Sequence, residues 1–142
     1  MFNTSSWQSH SEYRAVLRNC KAKFHGDTRR QLQDVYAAER RKLSSLNLDL
    51  VGHALSRYYS NTGRPAINQA QILRSFILFA LLFNRTNART SLTLWVRETL
   101  PSNPALAALI GCDSVCKLPP LGAYFDFINR FWTGDRSIYK RS

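Results

Sequence analysis

Cys112 and Cys116 stand four positions apart, close enough for two thiolates to hold one zinc ion if the segment turns back on itself. Two more ligands would have to come from His10, His25 or His53, none of which lies near the pair in sequence, and there is no second cysteine pair. The two thiols read better as small, half-buried side chains of a loop, so no metal is expected. A Cys–His or Ser–His couple could be assembled by folding, but no nucleophile elbow, P-loop or glycine-rich phosphate turn is present. The acids Glu12, Asp27, Asp34, Glu39, Asp49, Glu98, Asp113, Asp126 and Asp135 come singly, mostly on polar helix faces or in loops. A two-metal nuclease centre needs carboxylates converging on ions about 4 Å apart, usually presented by strand ends. No catalytic residue, cofactor or enzymatic activity is therefore expected of this chain.

The cations carry a more definite signal. Twenty Lys and Arg against nine Asp and Glu leave a net charge of +11, which folding itself does not require, because like charges on a compact body repel. Such an excess suits a polyanion, most commonly nucleic acid for a small basic domain. Arg64, Arg85 and Arg89 fall in turn-prone segments beside helix starts, where a guanidinium and free backbone N–H groups can converge on one phosphate. Arg29, Arg30, Arg40, Arg41 and Lys42 edge an amphipathic helix and serve either as further phosphate contacts or as a plain solvated face. Arg74 and Arg97, inside apolar segments, are expected to reach outward past the core or to pair with Glu98 and its neighbours.

All of these must be positioned by helices. Tyr13, Val16, Leu17, Cys20 and Phe24 recur on one helical face while Arg14, Arg18 and Lys21 share another. Gly26–Asp27 punctuates, and Leu32, Val35, Tyr36 and Leu43 imply a second helix. A third follows Asn47 as N-cap, with Val51, Ala54, Leu55 and Tyr58 inward, and Pro65 forces a connection over 60–66. Residues 68–83 are apolar nearly all round, which predicts the central helix, with Ile72, Leu73, Phe76, Ile77, Ala80 and Phe83 on one side. Leu92 to Leu100 forms another helix, Asn103–Pro104 and Gly111 bracket a short one, and Leu121 to Trp132 is the last. No alternating strand pattern occurs. The fold class expected is all-α, one domain of six or seven helices around a central apolar helix, with residues 1–46 a basic helical arm able to stand apart and 134–142 a basic tail.

Three cysteines, an odd number, without a secretory leader point to a reducing, cytoplasmic setting. The run Ile72–Phe83 is near a dozen residues and contains Arg74, too short and too polar to span a bilayer, which takes about 20 residues.

Read together, "YYSNTGRPAINQAQILRSFILFALLF", "TSLTLWVRETLPSNPALAALIGC" and "LPPLGAYFDFINRFW" resemble the all-helical N-terminal region of DDE-type insertion-sequence transposases, the InsH-like or DUF772 segment. The resemblance covers about residues 48–132. It implies a helical domain at 47–133 that precedes an RNase H-like catalytic domain and helps bind double-stranded DNA at transposon ends. It also implies self-association or association with full-length transposase, and no membrane partner. Because the sequence stops at Ser142, the catalytic strands and their acidic triad are expected to be absent, as in a truncated or split transposase; Asp126 and Asp135 match no catalytic motif.

Overall fold

The computed structural model describes residues 7–55, 68–86 and 91–130, without the side chains of 84–86. These residues build an all-α domain of eight helices, with no strand. Helix α1, His10–Lys23, starts at a capping box: the Ser9 hydroxyl accepts from the Glu12 N–H at 3.1 Å and the Glu12 carboxylate accepts from the Ser9 N–H at 3.0 Å. It buries Tyr13, Leu17 and Cys20. Gly26, at φ +57°, makes the left-handed turn into α2, Gly26–Arg30.

The single second helix expected from periodicity is divided. After α2 the backbone widens into a π-helical turn, Gln31–Val35, in which Tyr36 N–H donates to Gln31 C=O at 2.9 Å, and α3 resumes at Ala37–Ser45. A π turn inserts a residue into the ladder and redirects side chains. Helix α4, Asp49–Leu55, follows a turn in which the Asn47 side chain accepts from the Asp49 N–H at 2.9 Å.

Helix α5, Gln69–Thr86, leaves Asn68 at φ +60°, a conformation asparagine tolerates. Its buried stripe is Ala70, Ile72, Arg74, Ser75 and Leu78, with Leu73, Phe76 and Ile77 only half-buried and Ala80 exposed. The helix is thus rotated from the orientation its largest side chains suggest. A short α6, Leu92–Leu94, capped by Ser91, passes into a second π turn, Trp95–Thr99. Helix α7, Pro104–Leu109, is built as its signals foretell, with the Asn103 side chain accepting from Ala105 N–H at 3.1 Å and Gly111 at φ +99°.

Helix α7 is the most thoroughly buried element: every residue from Ala105 to Ile110 is inside. Three alanines let neighbours approach on all sides, and α1, α2 and α3 all pack on it. The centre of the domain therefore lies at α7 as much as at α5. Helix α8, Leu121–Ile128, lays Tyr124 and Phe127 against Phe76 of α5, ring centroids 5.7 and 5.9 Å apart. Ser75 Oγ between them accepts from Trp95 Nε1 at 2.9 Å and from the Tyr124 hydroxyl at 3.0 Å. Trp132 lies outside the described residues.

The first forty-odd residues share this core. Tyr13, Leu17, Leu32 and Leu43 belong to one cluster with Leu106, Leu109 and Tyr124, and the Tyr13 hydroxyl donates to Leu109 C=O. A separable arm would bring its own core or none; this segment contributes large buried side chains to the common one.

Candidate functional site

The predicted phosphate contacts divide by what they touch. Arg30 reaches Asp27, Nη2 to Oδ1 at 2.6 Å, in an exposed pair on α2. Arg40 is half-buried, and its guanidinium donates to the carbonyls of Leu32 and Gln33 at 3.2 and 3.4 Å. It closes the break between the π turn and α3, where backbone acceptors lack helical donors. Arg29, Arg41 and Lys42 are exposed and have no ion-pair or hydrogen-bond partner among the described residues. Arg64 and Arg89 lie outside the described residues; Arg85, expected in a turn, falls instead in the last turn of α5, which runs on to Thr86, and its side chain lies outside the described residues.

Two further cations, outside the predicted set, line a cleft. Arg14 and Arg18 on α1, with His10 and Ser11, face Asn47 and Asp49 across a shallow depression of about 410 Å³. His10, Arg14 and Arg18 recur at i, i+4 and i+8, one stripe of α1, and this spacing was visible in the sequence. What the sequence lacked was the opposite wall, which exists because the turn after α3 returns beside the start of α1. The Asp49 carboxylate accepts from the His10 N–H at 2.8 Å and so fastens the two walls.

Arg74 does not reach outward. Its side chain is 1% exposed, on the same stripe of α5 as buried Ala70 and Leu78. Nη1 donates to Gln8 Oε1 and Nη2 to Gln8 C=O, while the guanidinium carbon stands 4.0 Å from the Tyr13 ring centroid. No carboxylate lies at ion-pair distance among the described residues, and Nε has no hydrogen-bond partner there. Burial pulls its pKa down to about 10, against the attraction of Tyr13 and Asp49. Gln8 completes the cluster by donating to Gly111 C=O at 2.9 Å.

The cysteines lie on the margin of this cluster. Cys112 is buried, its thiol directed to Lys117 C=O at 3.7 Å, and burial followed by Asp113 pushes its pKa up to about 12. Such a thiol stays protonated near neutral pH and is a poor nucleophile. Cys116 is exposed, and no group of three or more His, Cys, Asp or Glu side chains able to hold a metal occurs among the described residues. Among the same residues no helix is long and apolar enough to cross a membrane. No family model, curated protein or solved structure matches the chain.

Proposed function

We propose that this chain is a DNA-binding helical module of the kind that forms the N-terminal region of DDE-type transposases, and that it takes double-stranded transposon-end DNA. The observation that carries the reading is the unmatched positive charge: a net +11, with Arg14, Arg18, Lys21, Arg29, Arg41 and Lys42 exposed on α1 to α3 and without ionic partners among the described residues. Net charge of this size also keeps a small domain soluble, but each cation that meets a phosphate releases a counterion as well, so a surface of this kind is suited to a polyanion. The resemblance over residues 48–132 supplies the transposase assignment. The test is titration of duplex DNA at rising salt: affinity that falls steeply and linearly in log–log form is expected, and absence of binding or of a salt slope defeats the proposal.

A second reading, a helical protein-interaction module that associates with full-length transposase, is favoured by one feature. Phe125 and Leu94 are exposed, and Val96, Pro101, Val115, Leu118 and Leu121 line a cleft of about 470 Å³. Light scattering at increasing concentration tests it; a monomer at all concentrations counts against it.

A further inference from the structure

We infer that the cleft between α1 and the Asn47–Asp49 turn seats the phosphodiester backbone of the bound nucleic acid, with Arg14 and Arg18 as its gripping cations. This rests on the DNA-binding reading and adds to it the place of contact, with both gripping arginines in a part of the chain that the transposase resemblance does not cover.

The first support is rigidity. Arg14 immediately follows Tyr13, which is fully buried and bonded to Leu109 C=O, and Arg18 follows buried Leu17. The capping box fixes the start of the helix. Two residues four apart on an α-helix sit roughly 6 Å apart along its axis on one face, so the two guanidiniums are presented side by side from a fixed platform. An anion bound there orders only the ends of two side chains.

The second support is unspent bonding capacity. Neither arginine has an ion-pair or hydrogen-bond partner among the described residues, though Asp49 lines the same cleft. His10 also lines the cleft, and its backbone N–H is held by Asp49. Asn47 adds an uncharged amide able to donate.

Asp49 is the group that argues the other way, since a carboxylate repels phosphate. It is one negative charge against two guanidiniums, and its Oδ1 is engaged by the His10 N–H, so the field favours an anion on the Arg14–Arg18 side of the cleft. The shallow form suits a strand lying across it better than a small molecule sealed within it.

Fluorescence anisotropy of a labelled duplex, read over a salt series, tests this with the full chain. The Arg14→Ala/Arg18→Ala double variant is expected to bind about ten-fold more weakly at about 0.1 M salt and to lose about 1.8 from the log–log slope, two counterions' worth. Arg97→Ala/Lys117→Ala removes the same formal charge outside the cleft and is expected to cost about three-fold or less. Both doubles should melt with the wild type, since all four side chains are exposed. If wild type binds DNA with a steep slope and the cleft variant matches it, or loses no more than the control double, the cleft assignment fails and the DNA reading stands. Wild type that does not bind duplex at all removes both. A cleft variant that loses affinity for poly-glutamate but not for DNA assigns the cleft to an acidic protein and overturns the proposal.

Discussion

Arg74 and the pair Arg14 and Arg18 are the same residue type on helices of one small domain, and they do opposite work. Arg74 is drawn inside, its charge answered by a glutamine, a carbonyl and the face of a tyrosine ring. Arg14 and Arg18 stand in solvent beside an open cleft with their hydrogen-bonding capacity unused. What separates them is the company each keeps one helical turn away. Arg74 shares its stripe with Ala70 and Leu78, both fully buried; Arg14 and Arg18 share theirs with half-buried His10. A cation's role follows from its stripe, and local polarity is a poor guide to it.

The comparison breaks most sharply at Arg74. Arg74→Ala removes the partner of Gln8, empties the space under the Tyr13 ring and is expected to cost about 3 kcal/mol in urea unfolding. Arg74→Met keeps the stem's volume without a buried charge and should cost less than about half of that, since a buried cation with no carboxylate beside it carries a desolvation penalty of its own. Arg14→Ala and Arg18→Ala should each stay within about 0.5 kcal/mol of wild type. Equal losses at Arg74 and Arg14 would show the contrast to be false.

Alkali attacks the inner region. In the fold the Cys112 pKa is raised from 9.0 to about 12 and that of Tyr124 from 10.0 to about 12, both chiefly by burial, while Tyr13 is pushed above the ordinary tyrosine range for the same reason. Each is an acid with a raised folded pKa. Its contribution is intact below the unfolded value and is lost as pH climbs toward the folded one, so stability should fall from about pH 9, Cys112 first. Arg74, lowered from the ordinary arginine range to about 10, has the opposite sign: its penalty is relieved as pH rises from there toward that range. Urea unfolding near pH 8 and near pH 10.5 should show Cys112 alone removing roughly 2 kcal/mol over that interval, a loss that Cys112→Ala abolishes.

Gly52→Ala probes how firmly the N-terminal residues are held against this inner region. A Cβ at Gly52 would come within 2.7 Å of the Trp7 ring, and Gly111 is similarly closed over by the Gln8 side chain. Alanine's helix propensity, worth about 1 kcal/mol over glycine, is expected to be outweighed by the displaced indole, for a net loss of about 1 kcal/mol and a red-shifted tryptophan emission. A stabilised variant with unchanged emission would mean that Trp7 is not seated there.

Helix existence was legible almost throughout, because 3.6-residue periodicity and cap chemistry are local. Asn103, Pro104 and Gly111 do in the structure what their types foretell. What was not legible depended on partners distant in sequence. Large apolar side chains on nearly every face of α5 leave its rotation undetermined and point Arg74 outward; only Gln8 and Tyr13, over sixty residues away, draw it in. The π turn over Gln31–Val35 has no sequence signature, and with it went the real occupation of Arg40. The Arg14–Arg18 stripe was visible as a pattern, but a cleft needs two walls, and the Asn47–Asp49 wall appears only when the chain has returned.

Arg40 and Arg41 sharpen the comparison at its finest grain, being adjacent residues on one helix with the same chemistry and the same predicted role. Arg40 turns back to the carbonyls of Leu32 and Gln33 and is half-buried; Arg41 is exposed and binds nothing among the described residues. Arg40→Ala leaves those acceptors without their charged donor and should lower stability by about 1 kcal/mol while leaving the salt slope of DNA binding unchanged. Arg41→Ala should leave urea unfolding unchanged and, if this face meets phosphates, flatten the slope by about 0.9, one counterion. Measured side by side, the two variants separate bracing from binding without reference to any other part of the surface. The opposite pattern, with Arg40 setting the slope and Arg41 the stability, would mean that Arg40 gives up its carbonyls when DNA binds. The π turn would then be an element that rearranges on binding, and the division between inward and outward cations would hold only for the free protein.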